Sequence, residues 1–150
     1  MTVEYLETTV DKFIFKVKQG CWYSQAGMWV QLEDGLARAG VTDFAQQTSG
    51  DVAFVALPRP GSTIRQGASL GEIETVKVTF DVTSPVSGGV REVNPALEDS
   101  PELVNQDPYG AGWLVLVELS DWETDRANLL TAEQYLDVMR AQAEEEAKNR

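Results

Sequence analysis

Along the chain the first clear alternation falls at Lys12 to Lys18, KFIFKVK, where Phe13, Phe15 and Val17 interleave with Lys12, Lys16 and Lys18. Successive side chains of a strand point to opposite faces, so this segment is expected as a half-buried strand with its lysines in water. Short runs rich in Val, Ile, Phe or Trp follow at Met28–Leu32, Asp51–Leu57, Leu70–Val76, Val78–Ser84, Val90–Val93 and Trp113–Leu119. Each is bounded by Gly, Pro, Asn or Asp, and many short strands at close spacing suggest a sandwich or barrel. Thr42 stands where its hydroxyl can accept from an orphan amide of a first helical turn, which predicts a short connector helix through Gln47 that Gly50 stops.

The pattern changes after Ser120. From Asp121 to Arg150 there is no Gly or Pro, and the segment reads as helix. Thr131 and Gln134 are spaced as a capping box, and Tyr135, Leu136 and Met139 form an apolar stripe expected to pack on the sheet. The tail AEEEAKNR reads as a solvated helix end.

Length and composition narrow the picture. With 150 residues, 43% of them hydrophobic, one domain spanning 1–150 is expected, strand-rich over 12–120 and helical over 121–150. The 24 acidic and 12 basic residues leave a formal net charge of -12, which repels phosphate backbones and argues against nucleic-acid partners. No apolar run approaches the ~20 residues of a membrane span, since even WLVLVEL meets Glu118, so no membrane insertion is expected. The start MTVEYLETTV lacks the basic and apolar regions of a secretory signal, and Cys21 has no second cysteine to pair with; a cytoplasmic protein is expected. There is no histidine, hence no imidazole base, no Ser/His or Cys/His pair and no histidine metal ligand. No two of the 24 carboxylates stand out as an acid–base pair, so the chain is not expected to be an enzyme in its own right.

One lysine stands apart. Lysines occur at 12, 16, 18, 77 and 148, which leaves Lys77 alone across the strand-rich middle, within GEIETVKVTFDV. The flanking strands place Val76, Lys77 and Val78 at a hairpin tip that lacks the Asn-Gly or Asp-Gly of a tight turn. From residue types alone, Lys77 reads first as an ordinary exposed lysine paired weakly with Glu74 or Asp81, and only second as a projecting site offered to another protein; spacing alone does not reverse that order.

A resemblance bears on that choice. Glu74-Thr75-Val76-Lys77 followed by Ser84-Pro85-Val86-Ser87-Gly88 resembles the lipoyl-attachment region of the glycine cleavage H-protein family, a Glu-Ser-Val-Lys stretch before Ser-Pro-Val-Ser-Gly. ALEDSPELVNQDPYGAGW, from Ala96 to Trp113, is similar to the family's long surface connection, and AGVTDFAQQTSGDVAFVALPRPG matches its helix, strand and turn in order. The similarity runs from about residue 22 to 140. It implies a mainly β fold of the lipoyl/biotinyl type, a flattened barrel or sandwich of antiparallel strands with a short connector helix and a C-terminal helix. It also implies lipoic acid bound covalently as lipoyl-lysine at Lys77, with the cofactor supplying thiol and disulfide chemistry to partner enzymes. A lipoylating enzyme is then one expected partner, and Glu74 and Asp81 are candidates either to be read by it, to hold the arm, or simply to solvate the hairpin.

The chain also departs from the family. Where the family has Tyr-x-x-x-His-Glu-Trp, whose carboxylate lies near the loaded arm, this chain has YSQAGMW, so Gly27 and Met28 replace His and Glu. A thioether cannot hold an ammonium group as a carboxylate does. That departure is similar to the divergent lipoate-binding proteins of bacterial sulfur oxidation, associated with a heterodisulfide-reductase-like complex. It implies an arm that carries sulfur, serves a redox or sulfur-transfer enzyme complex, and lies against Met28. The alternatives are a glycine cleavage carrier of an aminomethyl group and an unmodified protein-binding module on the same fold. Cys21 is expected as a packed thiol.

Overall fold

The computed structural model describes residues 4–149. Strands β1 (Tyr5–Val10) and β2 (Phe13–Lys18) form an antiparallel hairpin. Next come β3 (Trp22–Tyr23), β4 (Met28–Glu33), β5 (Leu36–Val41), helix α1 (Asp43–Ser49), β6 (Val52–Ala56), β7 (Thr63–Ile64), β8 (Ser69–Thr75), β9 (Thr79–Thr83) and β10 (Gly88–Val93). The short helices α2 (Ala96–Asp99) and α3 (Leu103–Gln106) lead to β11 (Val115–Leu119), α4 (Trp122–Arg126) and α5 (Ala132–Lys148).

A six-stranded sheet in the order β3-β4-β5-β11-β10-β7 faces a three-stranded sheet in the order β6-β8-β9, with every pairing antiparallel. Inward-pointing side chains from both sheets, among them Val30, Ala39, Val117, Ile73 and Val82, make the first core. Antiparallel sheets with a connector helix and a C-terminal helix are what the strand pattern predicts. β5, LARAGV, escapes a propensity reading because it is built of small residues. Its size is dictated by packing: a Cβ at Gly40 would come within 2.8 Å of the Trp29 indole that lies across it.

A second core joins the hairpin, α1 and α5. Phe15 and Val17 of β2 point into it beside Phe44, Tyr135 and Met139, while Lys12 and Lys16 are exposed, as the alternation predicts. Tyr23 and Tyr135 stack with centroids 4.7 Å apart. Trp29 donates its indole N–H to the Pro108 carbonyl at 2.9 Å. The apolar stripe of α5 therefore packs chiefly on the β1–β2 hairpin and β3. Strand β1 is invisible to a hydrophobicity pattern because Thr8 occupies a buried position, where its hydroxyl accepts from Arg140 Nε at 2.9 Å.

The expectation of one helix across 121–150 is corrected. The helix breaks between Arg126 and Ala132, and Leu130 exchanges two backbone hydrogen bonds with Tyr23, at 2.7 and 2.8 Å. The capping box explains why: Thr131 must leave helical geometry, at φ -72 and ψ 170, to cap Gln134. The far end of that expected helix, Arg150, lies outside the described residues. α1 follows its expected course, with Thr42 accepting from Ala45 N and Gly50 closing the helix. Among the described residues no helix is long and apolar enough to cross a membrane.

Candidate functional site

The β8–β9 hairpin carries Lys77 at its tip, with Val76, Lys77 and Val78 all exposed. The turn has no Asn-Gly or Asp-Gly, and a threonine does their work. The Thr75 hydroxyl accepts from Lys77 N at 3.1 Å and Val78 N at 3.0 Å, and it donates to the Ser49 carbonyl at 2.7 Å. Thr75 N donates to Val78 O at 2.8 Å and Val76 N to Asp51 O at 3.0 Å, so the tip is tied both to itself and to the α1–β6 turn.

That turn supports the lysine from below. Gly50 sits at φ +92, a left-handed conformation that disfavours a side chain, and a Cβ there would meet Lys77 Cδ at 3.2 Å. The absent side chain leaves room for the aliphatic stem of Lys77. Asn105, from α3, fixes the turn: its Nδ2 donates to Gly50 O at 2.9 Å and its Oδ1 accepts from Val52 N at 2.8 Å. Sequence reasoning assigned Thr75 and Asn105 no role and gave Gly50 only that of a helix stop. A hydroxyl two residues before the exposed lysine was the available signal for Thr75; nothing local marks Asn105, whose partners lie more than fifty residues away.

Glu74 and Asp81 flank the tip as expected and are both exposed, Glu74 across from Thr79 and Asp81 across from Glu72. Neither pairs with Lys77. The ion pairs among the described residues are Arg38–Glu33, Arg126–Glu123 and Lys148–Glu145, so the weak pairing weighed for Lys77 is not formed.

Met28 is not brought to the tip. It is 2% exposed, opposite Val41 in the β4–β5 ladder, and its side chain belongs to the first core. Alternation along β4 turns it inward, and the cleft beside Lys77 is lined without it. Gly27 borders a separate hollow with Ala45, Ser49 and Phe80. Cys21 is 5% exposed, and burial pushes its thiol up to about 11, with Lys18 and Tyr23 opposing; it is a packed thiol and poorly ionised at neutral pH.

Comparison with known proteins gives this hairpin a context. The family model described as glycine cleavage H-protein matches residues 21–142. The glycine cleavage system H protein of Coprothermobacter proteolyticus is 49% identical over 121 residues, 80% of this chain and 94% of that protein. A probable glycine cleavage system H protein of Pyrococcus abyssi is 43% identical over 128 residues, covering 85% of this chain and 95% of its own length. The crystal structure of a glycine cleavage system H protein from Mycobacterium marinum superposes with a TM-score of 0.72 at 38% identity, over 79% of this chain and 94% of that one. Similarity of this extent in sequence, together with the shared antiparallel fold, places the chain in the glycine cleavage H-protein family of lipoyl carriers.

Proposed function

We propose that this protein is a carrier whose lipoyl group, in amide linkage to Lys77 Nζ, ferries an aminomethyl group between the enzymes of glycine cleavage. The observation that carries the attachment point is the placement of Lys77: exposed on a hydrogen-bonded tip, with no carboxylate in ion-pair range among the described residues. The residues present fit such a group, because the stem of Lys77 already lies along the space that a side chain at Gly50 would fill. When bound, the lipoyl group supplies reversible dithiol–disulfide chemistry. The chain supplies position, through Thr75, Gly50 and Asn105, and recognition, through the exposed Val76 and Val78 with Glu72, Glu74 and Asp81 beside them. A lipoylating enzyme reads that surface first, and the glycine cleavage enzymes read it afterwards. The names of the relatives given above, a glycine cleavage system H protein and a probable one, favour an aminomethyl cargo over sulfur.

Sulfur carriage is the second reading, favoured by one observation: Met28 and Gly27 stand where the resembled motif has Glu and His, and Met28 is buried. One lipoylated sample separates the two. With glycine and the glycine-decarboxylating partner, aminomethyl transfer to the protein is expected by mass spectrometry. Sulfur loading from a persulfide donor, with no aminomethyl transfer, would reverse the assignment.

A further inference from the structure

The two facing sheets end in β3 and β7 on one and in β6 and β9 on the other. An edge strand invites pairing with another chain unless it is short, charged or irregular. β3 and β7 are two residues long, and β9 bears Asp81. β6, VAFVA, has no charge and no proline; its one irregularity is a bulge between Val52 and Phe54, after which the ladder to β8 is regular as far as Ala56.

A groove of about 440 Å³ runs beside this edge, with the main chain of β6 on one side and Val93, Pro95, Leu97 and Pro101 on the other. Alternation decides which backbone groups face it. Thr75 N donates to Val78 O on the β9 side, so Glu74 turns its main-chain groups toward β6, where it stands opposite Phe54. Val55, the next residue, therefore presents its N–H and C=O to the groove. Val52 N, outside the ladder at the start of the strand, is satisfied by Asn105 Oδ1 at 2.8 Å, whereas no hydrogen bond among the described residues reaches Val55 from the groove.

Charge restricts what can fill that edge. Phe54 is 59% exposed across from Glu74, and Ala56 lies across from Glu72. Glu98 is the charged residue on the groove lining. All three glutamates are exposed, and none belongs to an ion pair among the described residues. Carboxylates thus stand on both flanks of a neutral strand. We propose that the β6 edge is a docking site for an extended segment of a partner protein in which apolar residues alternate with lysine or arginine, added to the sheet as a fourth strand. Side chains of a strand alternate between faces, so the apolar residues enter the groove against Leu97 and Pro101 while the cations turn outward to the Phe54 ring and the carboxylates. Val55 supplies the main-chain bonds that fix the register. An acidic segment of the same shape is repelled, and pairing of β6 with a second copy of this chain would bring the glutamates of both copies together. The site is independent of the lipoyl attachment, although a partner seated there is separated from the Lys77 hairpin by β6 alone.

The test titrates acetyl-Val-Lys-Val-Arg-Val-Lys-amide into the isotope-labelled full-length protein and follows amide exchange and chemical shifts. Two control peptides accompany it: one N-methylated at every residue, which keeps the charges and removes every backbone donor, and one with glutamate at each basic position. At saturation the basic peptide is expected to slow exchange of the Val55 amide by roughly fivefold or more. Both controls should bind at least about tenfold more weakly. Phe54→Ser and Glu98→Lys should each weaken binding of the basic peptide by about threefold or more. Equal binding of the basic peptide and its N-methylated form would overturn strand addition, and equal binding of the basic and acidic peptides would overturn the charge assignment. Protection of Val55 in the protein alone, with a concentration-dependent rise in mass on sedimentation, would give the edge to a second copy instead. Protection confined to the Lys77 tip, or no binding at about 1 mM peptide, would overturn the site.

Discussion

Thr75→Val removes one oxygen and keeps the side-chain shape, which isolates the role of a hydroxyl that stands two residues before the lysine it positions. In the wild type that oxygen accepts from two tip amides and donates to the Ser49 carbonyl, and Thr75 is 7% exposed. A net intramolecular hydrogen bond is worth about 1 kcal/mol, so three lost bonds set an upper bound of about 3 kcal/mol. The amides belong to exposed residues and regain water, which brings the expected loss to about 1–2 kcal/mol. With a urea m-value of about 2 kcal/mol/M, the middle of the usual range, the midpoint should fall by roughly 0.5–1 M. The freed tip should also present Lys77 less often in the geometry a lipoylating enzyme binds, lowering the rate of lipoylation several-fold at subsaturating protein. Thr75→Ser, which keeps the hydroxyl, should recover most of both losses. Urea titration and a timed lipoylation assay on the three proteins are sufficient. A Thr75→Val variant with unchanged midpoint and unchanged lipoylation rate would refute the idea that this hydroxyl holds the tip.

Gly50→Ala forces a side chain into φ +92 and against the Lys77 stem, and should cost about 1–2 kcal/mol, or roughly 2–8 °C in thermal midpoint, with a further slowing of lipoylation. Alkaline pH should destabilise the fold. Burial raises the Cys21 thiol to about 11 and Tyr135 to about 12, and pushes Tyr23 and Tyr109 in the same direction, so the unfolded chain ionises first and stability falls as pH rises above about 9. The thiol's share, at most ~3 kcal/mol, is lost progressively up to about pH 11; denaturant titrations at pH 7 to 11 that showed no loss would contradict those burials. The net charge of -12 should speed association with basic partner surfaces, and stopped-flow rates should fall as ionic strength rises to physiological.

The strands that alternate cleanly were legible from sequence. KFIFKVK and the segments flanking Lys77 carry their burial pattern in residue type, and Thr42 and Thr131 announce helix starts through hydrogen bonds made within three residues. What failed to show depends on contacts remote in sequence. β1 buries Thr8 only because Arg140 satisfies its hydroxyl, β5 is small only because Trp29 crosses it, and the break before α5 exists because Leu130 pairs with Tyr23. The same division holds at the site. Lys77 could be singled out by its isolation and by a family resemblance, whereas the support from Gly50 and Asn105 arises from tertiary packing. Met28 shows the converse: a position aligned to a motif was expected beside the arm, and strand alternation turned it into the core.

The attachment of the arm is the claim on which the rest depends, and mass analysis tests it directly. The protein would be produced with a compatible lipoylating enzyme and lipoic acid, and the intact mass and proteolytic map compared with those of Lys77→Arg. One lipoyl adduct confined to Lys77, and none in a variant that remains folded, is the predicted result. An adduct on Lys12, Lys16, Lys18 or Lys148, or its persistence in Lys77→Arg, would contradict the account.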